Sequence, residues 1–301
     1  MACSAKIWVI YIFTLGHSLA ASALSQKQVE CRDFYPPRYT GKLENKDIDE
    51  ASGLIASRSH QNLFWTHNDS GDISRIFAIT QSGEHVAELR IKNAFFRDLE
   101  DIATSHAGRE KKTYLYLADI GDNHKIRSTV SIYRLLEPAM VAGKKRVLKV
   151  SAEKMTYKYE DGPQNAETLL IEQKSGDLLV VSKSKKGESK VYSLGAFKAN
   201  GFKTAKIIGN LPQLSYATGG DISPDGRLVV IKNLEKALLW QKRAEESVID
   251  SLKRKACLAP IAKEYQGEAI AFALDSKGYF TVSEGVGSPI SFVGQKRKGP
   301  K

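Results

Sequence analysis

The sequence predicts an all-β protein, a β-propeller, with five blades as the first count and six as the alternative. Two observations lead there. A short segment of a small or acidic residue followed by apolar positions recurs about every 50 residues, and each copy is followed by further β-rich runs. Turn signals such as Ser82-Gly83, Ser175-Gly176, Pro224-Asp225-Gly226 and Ser276-Lys277-Gly278 separate the runs. Composition agrees: 301 residues with 42% hydrophobic and 26% charged, 23 Gly and 9 Pro, exclude a disordered, collagen-like or multi-pass membrane chain.

Taken in order, residues 1–23 read as a secretory signal peptide. Lys6 precedes an apolar run from Ile7 to Leu15, and Ala21-Ser22-Ala23 offers a small-residue cleavage site. That run is too short to span a bilayer, which takes about 20 residues, and no later stretch approaches it. The mature chain is therefore expected without a transmembrane segment, secreted or periplasmic, and monomeric. Loss of Cys3 with the leader leaves Cys31 and Cys257 as an even pair in an oxidising compartment, which favours a disulfide over two free thiols.

The propeller domain is placed at 24–293. Its first strands are read at Glu50-Ala-Ser-Gly-Leu-Ile55, Leu99-Glu-Asp-Ile-Ala103, Asn165-Ala-Glu-Thr-Leu-Leu170, Gly219-Gly-Asp-Ile-Ser223 and Gln266-Gly-Glu-Ala-Ile-Ala271. Second strands begin near Leu63, Tyr114, Asp177, Arg227 and Gly278, and third strands near Arg75, Val130, Lys190, Lys236 and Pro289. Fourth strands fall at His85–Leu89, Met155–Tyr159, Thr204–Ile208 and Cys257–Ile261. The last repeat runs out of chain, so the segment Tyr39–Leu43 is assigned as its outer strand, closing the ring that an open edge would otherwise leave exposed. The count of six stays open if the stretch from Leu136 to Tyr159 hides a degenerate blade. One helix is expected between Gln241 and Lys255, where Ala244, Val248 and Leu252 share a face. The basic tail, 294–301, is expected to be disordered.

These motifs resemble a family of secreted, uncharacterised bacterial propeller proteins. The resemblance is carried by Ser52-Gly-Leu54, His67-Asn-Asp-Ser-Gly-Asp72, Glu100-Asp-Ile-Ala103, Asp119-Ile-Gly-Asp-Asn123, Gly219-Gly-Asp-Ile-Ser-Pro-Asp-Gly-Arg227 and Gln266-Gly-Glu-Ala-Ile-Ala-Phe272. It runs from about Ser52 to Ser288, and departs at Ile231-Lys-Asn-Leu234, where relatives carry an Arg-Thr-Tyr run. It implies the fold and export, and no activity.

In a propeller the first strands line a central channel, so Ser52, Glu100, Glu167, Asp221 and Glu268 would converge at its mouth. Carboxylates that close need a cation or nearby Lys and Arg to stay ionised. An all-oxygen donor set favours calcium (Ca2+) over zinc or copper. The competing reading is that these acids accept backbone hydrogen bonds from neighbouring blades and lock the ring. A second set, Asp69, Asp119, Asp122, Arg127, Lys183, Lys232 and Asn233, falls in the loops after the second strands and is read as ligand-binding. Asp-x-Gly-Asp is equally a natural tight turn. His67 and Glu284 are the catalytic candidates, although a lone His beside Trp65 is more often packed than reactive.

No Gly-x-Ser-x-Gly elbow, His-Glu-x-x-His pair, Walker loop or dinucleotide fingerprint occurs. A net charge of +11 without RNA-binding aromatic runs gives no specific nucleic-acid partner. The first expectation is an exported propeller that binds a small anionic or glycan-like ligand, or a partner protein, with calcium in the channel. The alternatives are a calcium-dependent phosphoester or ester hydrolase of phytase- or nucleotidase-like architecture, and a polyanion-binding surface protein.

Overall fold

In the computed structural model, residues 29–107, 112–139, 146–184 and 189–297 are described. The expected leader and the end of the basic tail lie outside them. In chain order, β1 (Arg38–Lys42) precedes a first set made of β2 (Ala51–Ala56), β3 (Leu63–Asn68), β4 (Arg75–Thr80) and β5 (His85–Ile91). The second set is β6 (Leu99–Ala107), β7 (Lys112–Asp119), β8 (Val130–Leu136) and, after an extra strand β9 (Arg146–Val150), β10 (Glu153–Tyr159). The third is β11 (Ala166–Ile171), β12 (Asp177–Ser182), β13 (Ser189–Ala196) and β14 (Phe202–Leu211). A fourth comprises β15 (Gly219–Ile222), β16 (Leu228–Lys232), β17 (Ala237–Gln241), the helix α1 (Val248–Leu252) and β18 (Cys257–Ala259). The fifth is β19 (Ala269–Phe272), β20 (Gly278–Val282) and β21 (Pro289–Gly294). The described chain is thus all-β apart from one short helix.

Within each set, successive strands pair antiparallel. β1 pairs antiparallel with β21 and completes the fifth set from the far end of the sequence, as the short fifth repeat requires. Among its described residues, the stretch between Leu136 and Tyr159 supplies no new set. Its first strand, β9, lies parallel beside β5, and β10 pairs antiparallel with β8 and parallel with β14, joining the second and third sets into one eight-stranded sheet.

The unbroken apolar runs of the second strands follow from burial on both faces. Side chains alternate across a strand, so neighbours in sequence enter different cores. Phe64 packs with Phe280 and Ala271 of the fifth set, while Trp65 packs with Ile102 and Leu115 of the second. Val229 faces Leu179 of the third set, and Val230 faces Phe272 of the fifth. Tyr116 and Ile132 of the second set meet Leu178 and Tyr192 of the third. Each pair of adjacent sets encloses one core. The first strands follow suit: β2 packs on β6, β6 on β11, β11 on β15, β15 on β19, and β19 on β2, a closed circuit.

Cys31 and Cys257 are disulfide-bonded, with Cα atoms 5.1 Å apart. Backbone bonds from Cys31 N to Leu258 O (2.9 Å) and from Leu258 N to Val29 O (2.8 Å) lay the N-terminal segment along β18. The bridge therefore ties the fourth set to the segment that runs on into β1. The expected helix is much shorter than the 241–255 stretch. Gln241 still belongs to β17, Lys242 N donates to Arg227 O (2.7 Å), and the Glu246 carboxylate accepts from Arg243 N (2.8 Å). The chain turns there, so the helix starts only after Ser247, whose Oγ accepts from Asp250 N (3.1 Å). Among the described residues, no helix is long and apolar enough to cross a membrane.

The crosslink spans 226 residues of sequence, so its loss should free much unfolded-chain entropy. In denaturant titrations the Cys31→Ser/Cys257→Ser variant should lose roughly 3–5 kcal/mol of unfolding free energy. An unchanged midpoint and slope would show that the seam is held without the bond.

Candidate functional site

Antiparallel pairing brings the N-terminal ends of the five first strands and the loops after the second strands to one end of the molecule. At three of these strand starts the ladder slips by a residue, between Ala51 and Gly53, Leu99 and Asp101, and Ala166 and Thr168. The extra residues are Ser52, Glu100 and Glu167. Such a bulge re-aims the side chain it carries.

The three bulge residues gather with acids from the neighbouring loops into a carboxylate cup. Ser52 Oγ donates to Glu100 O (2.9 Å) and lies 3.5 Å from Glu268 Oε2. Lys183 Nζ is 2.7 Å from Glu167 Oε2 and 3.8 Å from Glu268 Oε1, and Asn165 Nδ2 donates to Glu167 Oε1 (3.2 Å). Oxygens of Asp69, Asp98 and Glu100 all lie within 4.8 Å of one another, as do those of Asp69, Glu268 and Glu284. Asp69 belongs to both triads. Gly121 makes room for the first: a Cβ there would come within 2.1 Å of Glu100 Oε1.

Packing this many acids together raises their affinity for protons. Burial, with Asp98 adding repulsion, pushes the Asp69 carboxyl up to about 7. Burial and then Glu268 push Glu284 to about 7. Burial carries Glu167 to about 8 against the pull of Lys183, and burial followed by Glu167 holds Glu100 well above the usual carboxylate range. Asp98, missed by the sequence reading, is raised chiefly by burial. Burial opposes the Lys183 ammonium, but Glu167 and Glu268 hold it in the charged form. Burial and mutual repulsion thus favour, near neutrality, the protonated carboxyls of the cup. Its donors are all oxygen, which suits a hard ion such as calcium.

Asp221 does not join this group. Its Oδ1 accepts from Ile222 N (2.7 Å) and its Oδ2 from Phe272 N (2.8 Å), clamping β15 to β19. Asp101 does the same from β6 to β11, accepting from Ile102 N (2.8 Å) and Leu169 N (2.7 Å). For these two carboxylates the ring-locking role is the observed one, and Asp221 corresponds to Asp101 rather than to Glu100.

The loop candidates divide similarly. His67 is fully buried, donates from Nδ1 to Asn68 O (2.8 Å), and is pushed down to about 4 by burial. Its ring lies so close to Gly53 that a Cβ there would meet Nε2 at 2.2 Å, and that buried Nε2 has no hydrogen-bond partner among the described residues, so the ring is packed against β2. Lys232 has 0% exposure, its Nζ has no hydrogen-bond partner among the described residues, and burial pushes it down to about 8 against Glu264 and Glu268. Asn233 accepts from Glu235 N (2.9 Å) and Lys236 N (2.8 Å) to shape its own turn. Asp122 accepts from Ile126 N (3.0 Å) and Arg127 N (2.7 Å), and Arg127 pairs with Asp119 Oδ2 (3.0 Å). Asp119 Oδ1 in turn accepts from Asp98 N (3.0 Å), so this trio positions Asp98.

Two outcomes test these assignments. Asp101→Asn, which leaves a buried N–H facing an amide, should cost about 1–3 kcal/mol in denaturant titrations. An unchanged stability would show that the clamp is dispensable. The acids also set a pH dependence. Asp69, Glu284 and Asp221 near 7 and Glu167 near 8 keep protons that the unfolded chain has lost, so folding stability falls as pH rises to about 8. His67, near 4 when folded, acts in the opposite sense only below its ordinary 6.5, and Lys232 only above about 8. Metal-free protein should therefore melt several degrees lower at pH 8 than at pH 6.5, read by calorimetry. A flat or rising trend contradicts the raised carboxyls.

No protein-family model matches this chain, and no curated protein matches it.

Proposed function

We propose that the chain is a five-bladed β-propeller, exported from the cell, that binds a ligand or partner on its loop face with a calcium ion in the carboxylate cup. The blade count is supported by five strand sets whose first strands pack in a closed circuit, with one core between each adjacent pair. The place of β9 beside β5, with no first strand of its own among the described residues, argues against a sixth blade. Export is supported by the leader-like N terminus together with the disulfide.

The observation that carries the cation is the pair of triads sharing Asp69, Asp69–Asp98–Glu100 and Asp69–Glu268–Glu284. Five carboxylates gather there, and the ammonium paired to this group, Lys183, is already engaged by Glu167. A divalent ion replaces the protons that the cup otherwise holds, which makes binding pH-dependent. Asp69, Asp98, Glu100, Glu268 and Glu284 would supply the oxygens, and Ser52 holds Glu100 and Glu268 in register.

A second reading, a calcium-dependent hydrolase, is favoured by one observation. Glu284 is a partly exposed member of its triad, at the rim, where in this reading it stays off the ion and serves as general base. It would accept the proton of a water that attacks a phosphoester or ester, the bound ion polarising that water.

Calorimetric titration separates these readings. Calcium should bind the mature protein at pH 8 and bind at least tenfold more weakly at pH 6, with protons released to buffer. Glu100→Gln and Glu268→Gln should each weaken binding at least tenfold while the far-UV spectrum is kept. Absence of calcium heat at both pH values removes the cup as a metal site. With calcium present, a phosphoester and lactone screen should show turnover that Glu284→Gln abolishes if the hydrolase reading is right, and none if the protein only binds.

A further inference from the structure

Beside the cup the loops enclose a second cavity of about 360 Å3, bounded by Asn123, His124, Lys125, Asn165, Lys183 and Tyr216. Lys183 belongs to both, because the ammonium that pairs with Glu167 also forms part of this cavity's wall. The lining carries two ammonium groups, Lys183 and Lys125, the latter donating from Nζ to Gln164 Oε1 (3.2 Å). Tyr216, 43% exposed, contributes an aromatic surface.

The backbone marks the same place. Among the described residues, non-glycine residues with left-handed φ are Asn62, Lys125, Asn200, Tyr216 and Ser276. Asn and Ser tolerate that region, since their short polar side chains bond locally. Lys125 (φ 53°) and Tyr216 (φ 57°) carry larger side chains, and both line this one cavity. Left-handed backbone at a bulky residue persists where the surroundings over-determine it, and such positions cluster at ligand sites.

We propose that this cavity binds a small molecule carrying one anionic group, carboxylate or phosphate, on a flat ring. The anion lies toward Lys125 and Lys183, and the ring lies against Tyr216. The proposal rests on the reading of the loop face as a ligand surface and specifies its ligand class. It also carries a coupling. Once the cup's acids have lost their protons, an anion beside them is repelled, whereas a cation in the cup removes that repulsion and loosens the hold of Glu167 on Lys183. Calcium and the anionic ligand should then strengthen each other's binding by the same factor.

The test uses the mature protein with benzoate, phenyl phosphate and uncharged benzyl alcohol as probes, followed by calorimetry and ligand-observed NMR with and without calcium. At least one anionic probe should bind tenfold or more tightly than benzyl alcohol, more tightly with calcium than without, and the two anionic arms identify which headgroup is preferred. Lys125→Ala and Tyr216→Gly should each weaken that probe at least tenfold. The inference is overturned if neither anionic probe binds in calcium, if benzyl alcohol binds as well, or if both variants bind the probe unchanged. A lower Tm for Tyr216→Gly with unaltered binding also overturns it, since that residue would then serve the fold alone. Calcium heat in the same cell scores the cup separately. Calcium binding without probe binding removes this inference and keeps the metal site, whereas variant-sensitive probe binding without calcium heat keeps the cavity and removes the metal.

Discussion

Each set of strands in this protein is apolar on both faces, so none has a complete core without a neighbour on either side. A linear stack of such sheets would always end in two exposed apolar faces, which only a circuit removes. Much else in the molecule serves that closure. β1 returns from the start of the chain to finish the fifth set, the disulfide fixes the N-terminal segment to the fourth, and Asp101 and Asp221 each tie a first strand to the next.

The carboxylate cup is a by-product of the same geometry. Five strands that start around one axis bring their first side chains together whatever their chemistry. Two kinds of acid occupy that place here. Asp101 and Asp221 find two backbone donors each, so their charge is spent on holding strands. Glu100 and Glu268, in the triads with Asp69, have no comparable set of amides, and burial penalises their neighbours instead. The difference between a structural carboxylate and an available one is therefore a single position along the strand.

That single position also explains what could be read from the sequence. Strand runs such as Asp177–Ser182 were legible because burial on both faces leaves an unbroken apolar stretch, and the fivefold spacing made the sets countable. Glu100, Glu167 and Glu268 were legible from their place before each run. Asp221 was grouped with Glu100 although Glu100-Asp101-Ile102 and Gly220-Asp221-Ile222 align without a gap and set it beside Asp101; what the sequence does not mark is the bulge that turns Glu100 into the cup. His67 stands in a motif that looks catalytic, yet the closeness of Gly53 that buries its ring is a property of space. Asp98 had a signal that was passed over: polar residues stand two places ahead of the strand-start residue at Glu50, Asp98, Asn165 and Gln266 alike. The helix was overextended because its apolar spacing says nothing of the turn at Arg243–Glu246, where β17 is still shedding its last ladder bond.

Pairing of β1 with β21 has a consequence for how the molecule comes to be made. The earliest strand of the chain to leave the ribosome finds its partner only when Pro289–Gly294 has followed it. Until then the four intermediate sets can form but the seam between the last and the first stands open, with an apolar face on either side. Assembly thus has a fixed final step, and a chain cut short near its end is left with its seam unclosed rather than with a smaller finished protein.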